Sequence, residues 1–150
     1  MLTRIPLRVI SLQGDGFHLA LEASINHQKA LLILDTGASR TVFDINRMTR
    51  FIDQPEYEPN EQKSTGLGTN TMDSNIFKMD SFCLGDMRLQ NYDAVAIDMT
   101  HINETYEMLE MDQIDGVLGG DILMDFKAKI DYHAMVLTLR FAKAKYFKIK

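Results

Sequence analysis

From Phe17 to Ile25 the apolar residues Phe17, Leu19, Leu21, Ala23 and Ile25 fall on every second position, a period of two that places them on one face of a β-strand. Upstream, Ile5, Leu7 and Val9 alternate with Pro6 and Arg8, and Gly14-Asp15-Gly16 supplies a turn between the two segments. Downstream, Asn26 to Lys29 reads as a second turn, and Ala30-Leu31-Leu32-Ile33-Leu34 is a short unbroken apolar run. Such a run fits a strand buried on both faces. It leads straight into Asp35-Thr36-Gly37, where the chain must turn.

The same reading carries on to the C-terminus. Thr41-Val42-Phe43 predicts a short strand, Ile45 to Phe51 a helical turn, and Asp53 to Lys63, with Pro55 and Pro59, a polar loop. Ser64 to Leu84 has strand-like stretches around Gly66-Leu67-Gly68, which predicts a hairpin with a glycine-rich tip. Gly85-Asp86 is a turn and Tyr92 to Ile97 a strand. Thr100 is placed to cap a helix over His101 to Met111, with Ile102, Tyr106 and Leu109 on its apolar face. Ile114 to Leu123 combines an apolar strand, two glycines and a helix start, and Lys129–Tyr132 with Met135–Leu139 form a closing hairpin around His133-Ala134. The expected fold is mostly β with one or two short helices, in a single domain over residues 1–150.

Composition narrows the function. Apolar residues make up 45% and charged residues 25% of the 150 positions, as in a soluble globular domain. A net charge of -5 provides no general attraction for nucleic acid. The charge is uneven: Asp98, Glu104, Glu107, Glu110, Asp112 and Asp115 stand in a stretch without Lys or Arg, and the acidic helix from His101 to Met111 within it reads as a solvated face. Arg140, Lys143, Lys145, Lys148 and Lys150 make the end of the chain, about 141–150, a basic tail. Cys83 alone cannot form an intrachain disulfide and reads as a small buried hydrophobe. No run approaches the ~20 apolar residues that span a bilayer. A cytoplasmic chain without membrane contact is the expectation.

The sharpest chemical feature is Asp35, set against a buried strand and followed by Thr36, Gly37, Ala38 and Ser39. Burial disfavours an ionised carboxylate, so such a group must be hydrogen-bonded, paired or protonated. The two hydroxyls lie within reach of it, and Gly37 allows another backbone or carboxylate to approach closely. On local physics alone Asp35 could equally organise a strand-to-turn transition. A phosphoenzyme aspartate fits poorly, because no glycine-rich phosphate loop and no second acid two residues on accompany it. The histidines His18, His27, His101 and His133 lack metal-ligand spacing, and Ser39 has no His-Asp relay. Among the ten methionines, Met108, Met111 and Met124 are read as core filler. No metal or cofactor is expected.

Leu34-Asp35-Thr36-Gly37-Ala38-Ser39 resembles the active-site signature of the aspartic proteases, in the form used by retropepsins and their bacterial relatives. A second segment, Ile114-Asp115-Gly116-Val117-Leu118-Gly119-Gly120-Asp121-Ile122-Leu123, resembles that family's two-hydrophobic-then-Gly element, and Thr65-Gly66-Leu67-Gly68-Thr69 sits where a retropepsin has its flap. The resemblance spans roughly residues 17 to 140. It implies a single-lobe, closed β-barrel and peptide-bond hydrolysis. In its terms Asp35 is the catalytic acid, Thr36 binds two catalytic loops together, Gly37 places backbone near the substrate, and Ser39 hydrogen-bonds the outer oxygen of Asp35. Gly66, Leu67 and Gly68 lie over the substrate, Gly119 packs beneath the active-site loop, and Val117 and Leu118 are core.

Hydrolysis of this kind needs two carboxylates sharing one proton, and the chain has one Asp-Thr-Gly. The implied enzyme is therefore a two-fold homodimer acting on a protein or peptide substrate. The alternative is a protease-fold module that binds peptides or acts as a scaffold without cleaving.

Overall fold

The computed structural model describes residues 1–60 and 73–142, together with the backbone of 147–148. The first strands are β1 (Leu2–Pro6), β2 (Arg8–Ser11), β3 (Phe17–Ile25), β4 (Gln28–Leu34), β5 (Val42–Asp44) and the very short β6 (Glu58–Pro59). After β7 (Asn75–Leu84) and β8 (Met87–Ile97) come the helix α1 (Thr100–Met108), β9 (Gly116–Leu118) and the helix α2 (Gly120–Asp125). The chain closes with β10 (Lys129–Asp131), β11 (Val136–Arg140) and β12 (Phe147–Lys148).

Six strands close on themselves in the order β8-β5-β9-β4-β3-β7 and back to β8. This is a closed, mostly β barrel of the single-lobe retropepsin type. Most of its pairings are antiparallel, but β4 runs parallel to β9 and β5 parallel to β8. β9 is thus held between two strands from the first third of the chain. Only Gly fits at its start: a Cβ on Gly116 would lie 2.5 Å from the Val42 carbonyl oxygen. The hairpin from β3 to β4 turns on Asn26 and His27, both at positive φ, as a two-residue connection requires.

The unbroken apolar run of β4 serves two cores. Leu32 and Leu34 point into the barrel, among Leu21, Ile25, Phe43, Phe82 and Leu118. Leu31 and Ile33 point outward into a second cluster with Val42, Val95, Val117, Tyr106 and Ile114, which the α1 segment covers. Burying each such side chain contributes ~1.5–3 kcal/mol. A separate antiparallel sheet in the order β1-β11-β10 adds Ile5, Leu137 and Leu139 to the barrel core.

Several expectations need correcting. Phe17 keeps the period of its strand but is 72% exposed, because β3 runs past the barrel there. Residues 58–59, expected in a loop, form β6 and pair with β7. Thr100 begins α1 rather than capping it, and the Asp98 carboxylate accepts from the Thr100 N–H and hydroxyl. Those bonds hold the Asp98 carboxyl below its ordinary range. The buried residues of α1 are Asn103 and Tyr106, and Ile102 lies largely exposed. The Asn103 amide instead bonds Asp44 and the Ile114 backbone, so a polar residue anchors the helix. Met108 and Met124 are exposed rather than core filler. Of the basic tail, Phe141 is buried, and the backbone of 147–148 pairs with β8. Among the described residues, no helix is long and apolar enough to cross a membrane.

Candidate active site

Asp35 follows directly on β4, and its N–H donates to the Leu118 carbonyl oxygen at the end of β9, 3.0 Å away. The chain then turns tightly. The Gly37 N–H donates to Asp35 Oδ1 (2.9 Å) and the Ala38 N–H to the Asp35 carbonyl oxygen (3.2 Å). The first bond fixes the carboxylate's orientation from within its own loop. Asp35, Thr36 and Gly37 all face solvent in the single chain, so the buried turn anticipated around the acid is an exposed tip.

The opposite side of this loop is firmly attached. The Gly120 N–H donates to the Ala38 carbonyl oxygen (2.7 Å), and the Gly119 N–H to Thr41 Oγ1 (3.0 Å). Asp121 Oδ1 accepts from the Thr41 N–H and hydroxyl and from the Ile122 N–H, each at 2.8 Å. That carboxylate thereby serves the first turn of α2 and the loop together. The sequence alone gives Thr41 and Asp121 no role in holding this loop. The available signal was modest: a polar residue at the edge of an apolar run, and an acid at a helix start.

Gly119 lies beneath the loop. A Cβ there would stand 2.5 Å from the Arg40 carbonyl oxygen, 2.6 Å from its carbonyl carbon and 2.9 Å from the Ala38 carbonyl oxygen. All three contacts are backbone atoms that cannot swing away. Gly119→Ala is therefore expected to destabilise the fold by about 1–3 kcal/mol and to lower any Asp35-dependent activity further by displacing the loop. Urea denaturation read beside activity at equal folded fraction separates the two effects. Leu118 is fully buried in the barrel and Val117 is buried in the outer cluster. Ser39 is exposed beside the loop. Gly66, Leu67 and Gly68 lie outside the described residues; β6 and β7, on either side of them in sequence, pair antiparallel.

Near α2, burial pushes the Tyr92 phenol well above its ordinary pKa, and the neighbouring Asp121 carboxylate adds to the effect. Tyr92 stays a neutral hydroxyl at physiological pH. Among the described residues, no three His, Cys, Asp or Glu side chains cluster as metal ligands. The four histidines are all exposed.

The family model described as "Aspartyl protease" matches residues 21–122, from the middle of β3 through the first turn of α2. This chain belongs to the aspartyl protease family. The match contains both β4 with its Asp35 loop and the 116–122 segment that fastens it. Among solved structures, a retropepsin-like aspartic protease from Rickettsia conorii is similar, with a TM-score of 0.53 and 20% identity over 93% of this chain and 91% of that one. The retroviral protease-like domain of Ddi1 from Leishmania major is similar at a TM-score of 0.49 and 16% identity, over 89% of this chain and 94% of that one. No curated protein sequence matches the chain.

Proposed function

We propose that this aspartyl protease is an endopeptidase that works as a homodimer, with Asp35 of each copy contributing one carboxylate. The observation carrying this reading is the asymmetry of the loop: its base is bonded to residues 118–122, while Asp35, Thr36 and Gly37 stand exposed. An exposed acid held by its own backbone suits a group that must meet its symmetry mate.

In the paired state two carboxylates at close range share one proton. The ionised member accepts a proton from water, which attacks the peptide carbonyl, and the protonated member donates to the carbonyl oxygen. The roles then reverse for the leaving amine. Thr36 would tie the two loops together, Ser39 would steady Asp35, and Gly66, Leu67 and Gly68 would cover a protein or peptide substrate. The chemistry needs no metal or cofactor, because the paired carboxylates supply both acid and base.

Such an enzyme loses specific activity on dilution. With denatured casein as substrate, activity per chain is expected to rise with concentration in step with the dimer fraction from analytical ultracentrifugation. Constant specific activity across a measured monomer–dimer transition would contradict the shared-carboxylate mechanism. A stable dimer that cleaves nothing would favour the non-catalytic binding module.

A further inference from the structure

We infer that β10 is the strand through which two copies of this chain join, pairing antiparallel with itself about Ile130. This inference rests on the homodimer reading above and adds to it the surface that makes the dimer.

β10 and β1 are the two edges of the β1-β11-β10 sheet among the described strands. An edge strand offers a row of backbone donors and acceptors to any chain that can align with it. The edges differ in how well they can do so. β1 ends in Pro6, which has no N–H to donate, and a two-fold pairing of β1 about its middle residue would set Arg4 against Arg4 of the second copy. β10 has no proline, and its sequence is Lys129-Ile130-Asp131.

In a two-fold antiparallel pair centred on Ile130, each Lys129 stands opposite Asp131 of the other copy. Both cross-strand pairs are then of opposite charge, and the strand is complementary to itself. The facing of the side chains supports this. Ile130 packs against the barrel core, so Lys129 and Asp131 project together on the other face. Within the chain neither forms an ion pair among the described residues, and Asp131 Oδ1 accepts only the Ala134 N–H of the hairpin turn, at 2.9 Å. β10 also follows α2 closely, and α2 begins where the Asp35 loop is fastened. Pairing here would join the copies through the same segment that supports each half-site.

The test uses two charge variants of the full chain, Lys129→Glu and Asp131→Lys. Each alone sets like charges against each other in both pairs, and its dimer is expected to be about tenfold weaker than wild type at low salt. Mixed together they recreate two opposite-charge pairs, so a heterodimer of wild-type strength should form and Asp35-dependent cleavage should return. Simple damage to the hairpin, including loss of the Ala134 bond in Asp131→Lys, gives no such rescue. Sedimentation of the single variants and the mixture provides the readout independently of catalysis. Wild-type dimerisation by both single variants, or no recovery on mixing, would overturn the β10 interface while leaving the protease reading to its own activity assay. Charge-dependent dimerisation without any cleavage would uphold the interface and count against the protease.

Discussion

Asp35→Asn should abolish cleavage, lowering the rate by roughly 10⁴-fold, the upper end of what a positioned acid or base contributes, while leaving the fold in place. Asn keeps the size and the Oδ1 acceptor that the Gly37 N–H requires, and the side chain is exposed in the single chain. The stability change is therefore expected to stay within about 0.5 kcal/mol. On the proposed shared-carboxylate mechanism, two amides would supply neither the base that activates water nor the acid that protonates the carbonyl oxygen. The measurement is casein cleavage from pH 4 to 7 beside thermal denaturation and sedimentation. Wild-type activity in a folded Asp35→Asn protein would remove Asp35 from the mechanism.

The second large effect falls on stability rather than activity. Asp115→Ala is expected to cost about 3–5 kcal/mol, as breaking a buried ion pair from one side typically does. Asp115 is 4% exposed. Its Oδ2 accepts the Leu31 N–H at 2.9 Å, and its Oδ1 accepts from Arg47 Nε at 2.7 Å and from Arg50 Nη1 at 3.3 Å. Its own N–H donates back to the Leu31 carbonyl oxygen. Removing the carboxylate leaves the Leu31 N–H and the Arg47 Nε–H without their acceptor, and among the described residues Arg47 keeps only its Nη1 bond to Gln113. Asp115→Asn retains an acceptor for Leu31 and should cost less. Urea denaturation with an unchanged m-value checks the order wild type, Asn, Ala, and equal midpoints for Ala and wild type would contradict it.

Asp115 also marks where sequence reasoning fell short. Its neighbours in sequence give no sign of a buried ion pair, because Arg47 and Arg50 lie more than sixty residues away and meet it only in the folded chain. The strands were more legible. The apolar run before Asp35 identified a strand buried on both sides, and β4 divides its side chains between two cores. Periodicity did not reveal where a strand outruns its cover, so exposed Phe17 was missed. On the helix, Tyr106 of the apolar face is buried, but the pattern gives no sign of Asn103, which is buried because Asp44 and Ile114 satisfy it, and no hydrophobic pattern records a satisfied amide. In the site, Asp35 stood out by its neighbours, whereas Thr41 and Asp121 gain meaning only from contacts eighty residues apart.

That separation has a consequence in time. The contacts that give the Asp35 loop its shape join residues 35–41 to 118–122, and β4 finds its parallel neighbour only in β9. Closing so long a stretch of chain loses entropy before any contact repays it, and β topologies of this kind fold in milliseconds to seconds. A chain emerging from the ribosome has made its acid long before it has made the segment that orients it. The loop can take its working form only after residues 118–122 have been synthesised, so a growing chain carries the acid for more than eighty further residues without a formed site around it.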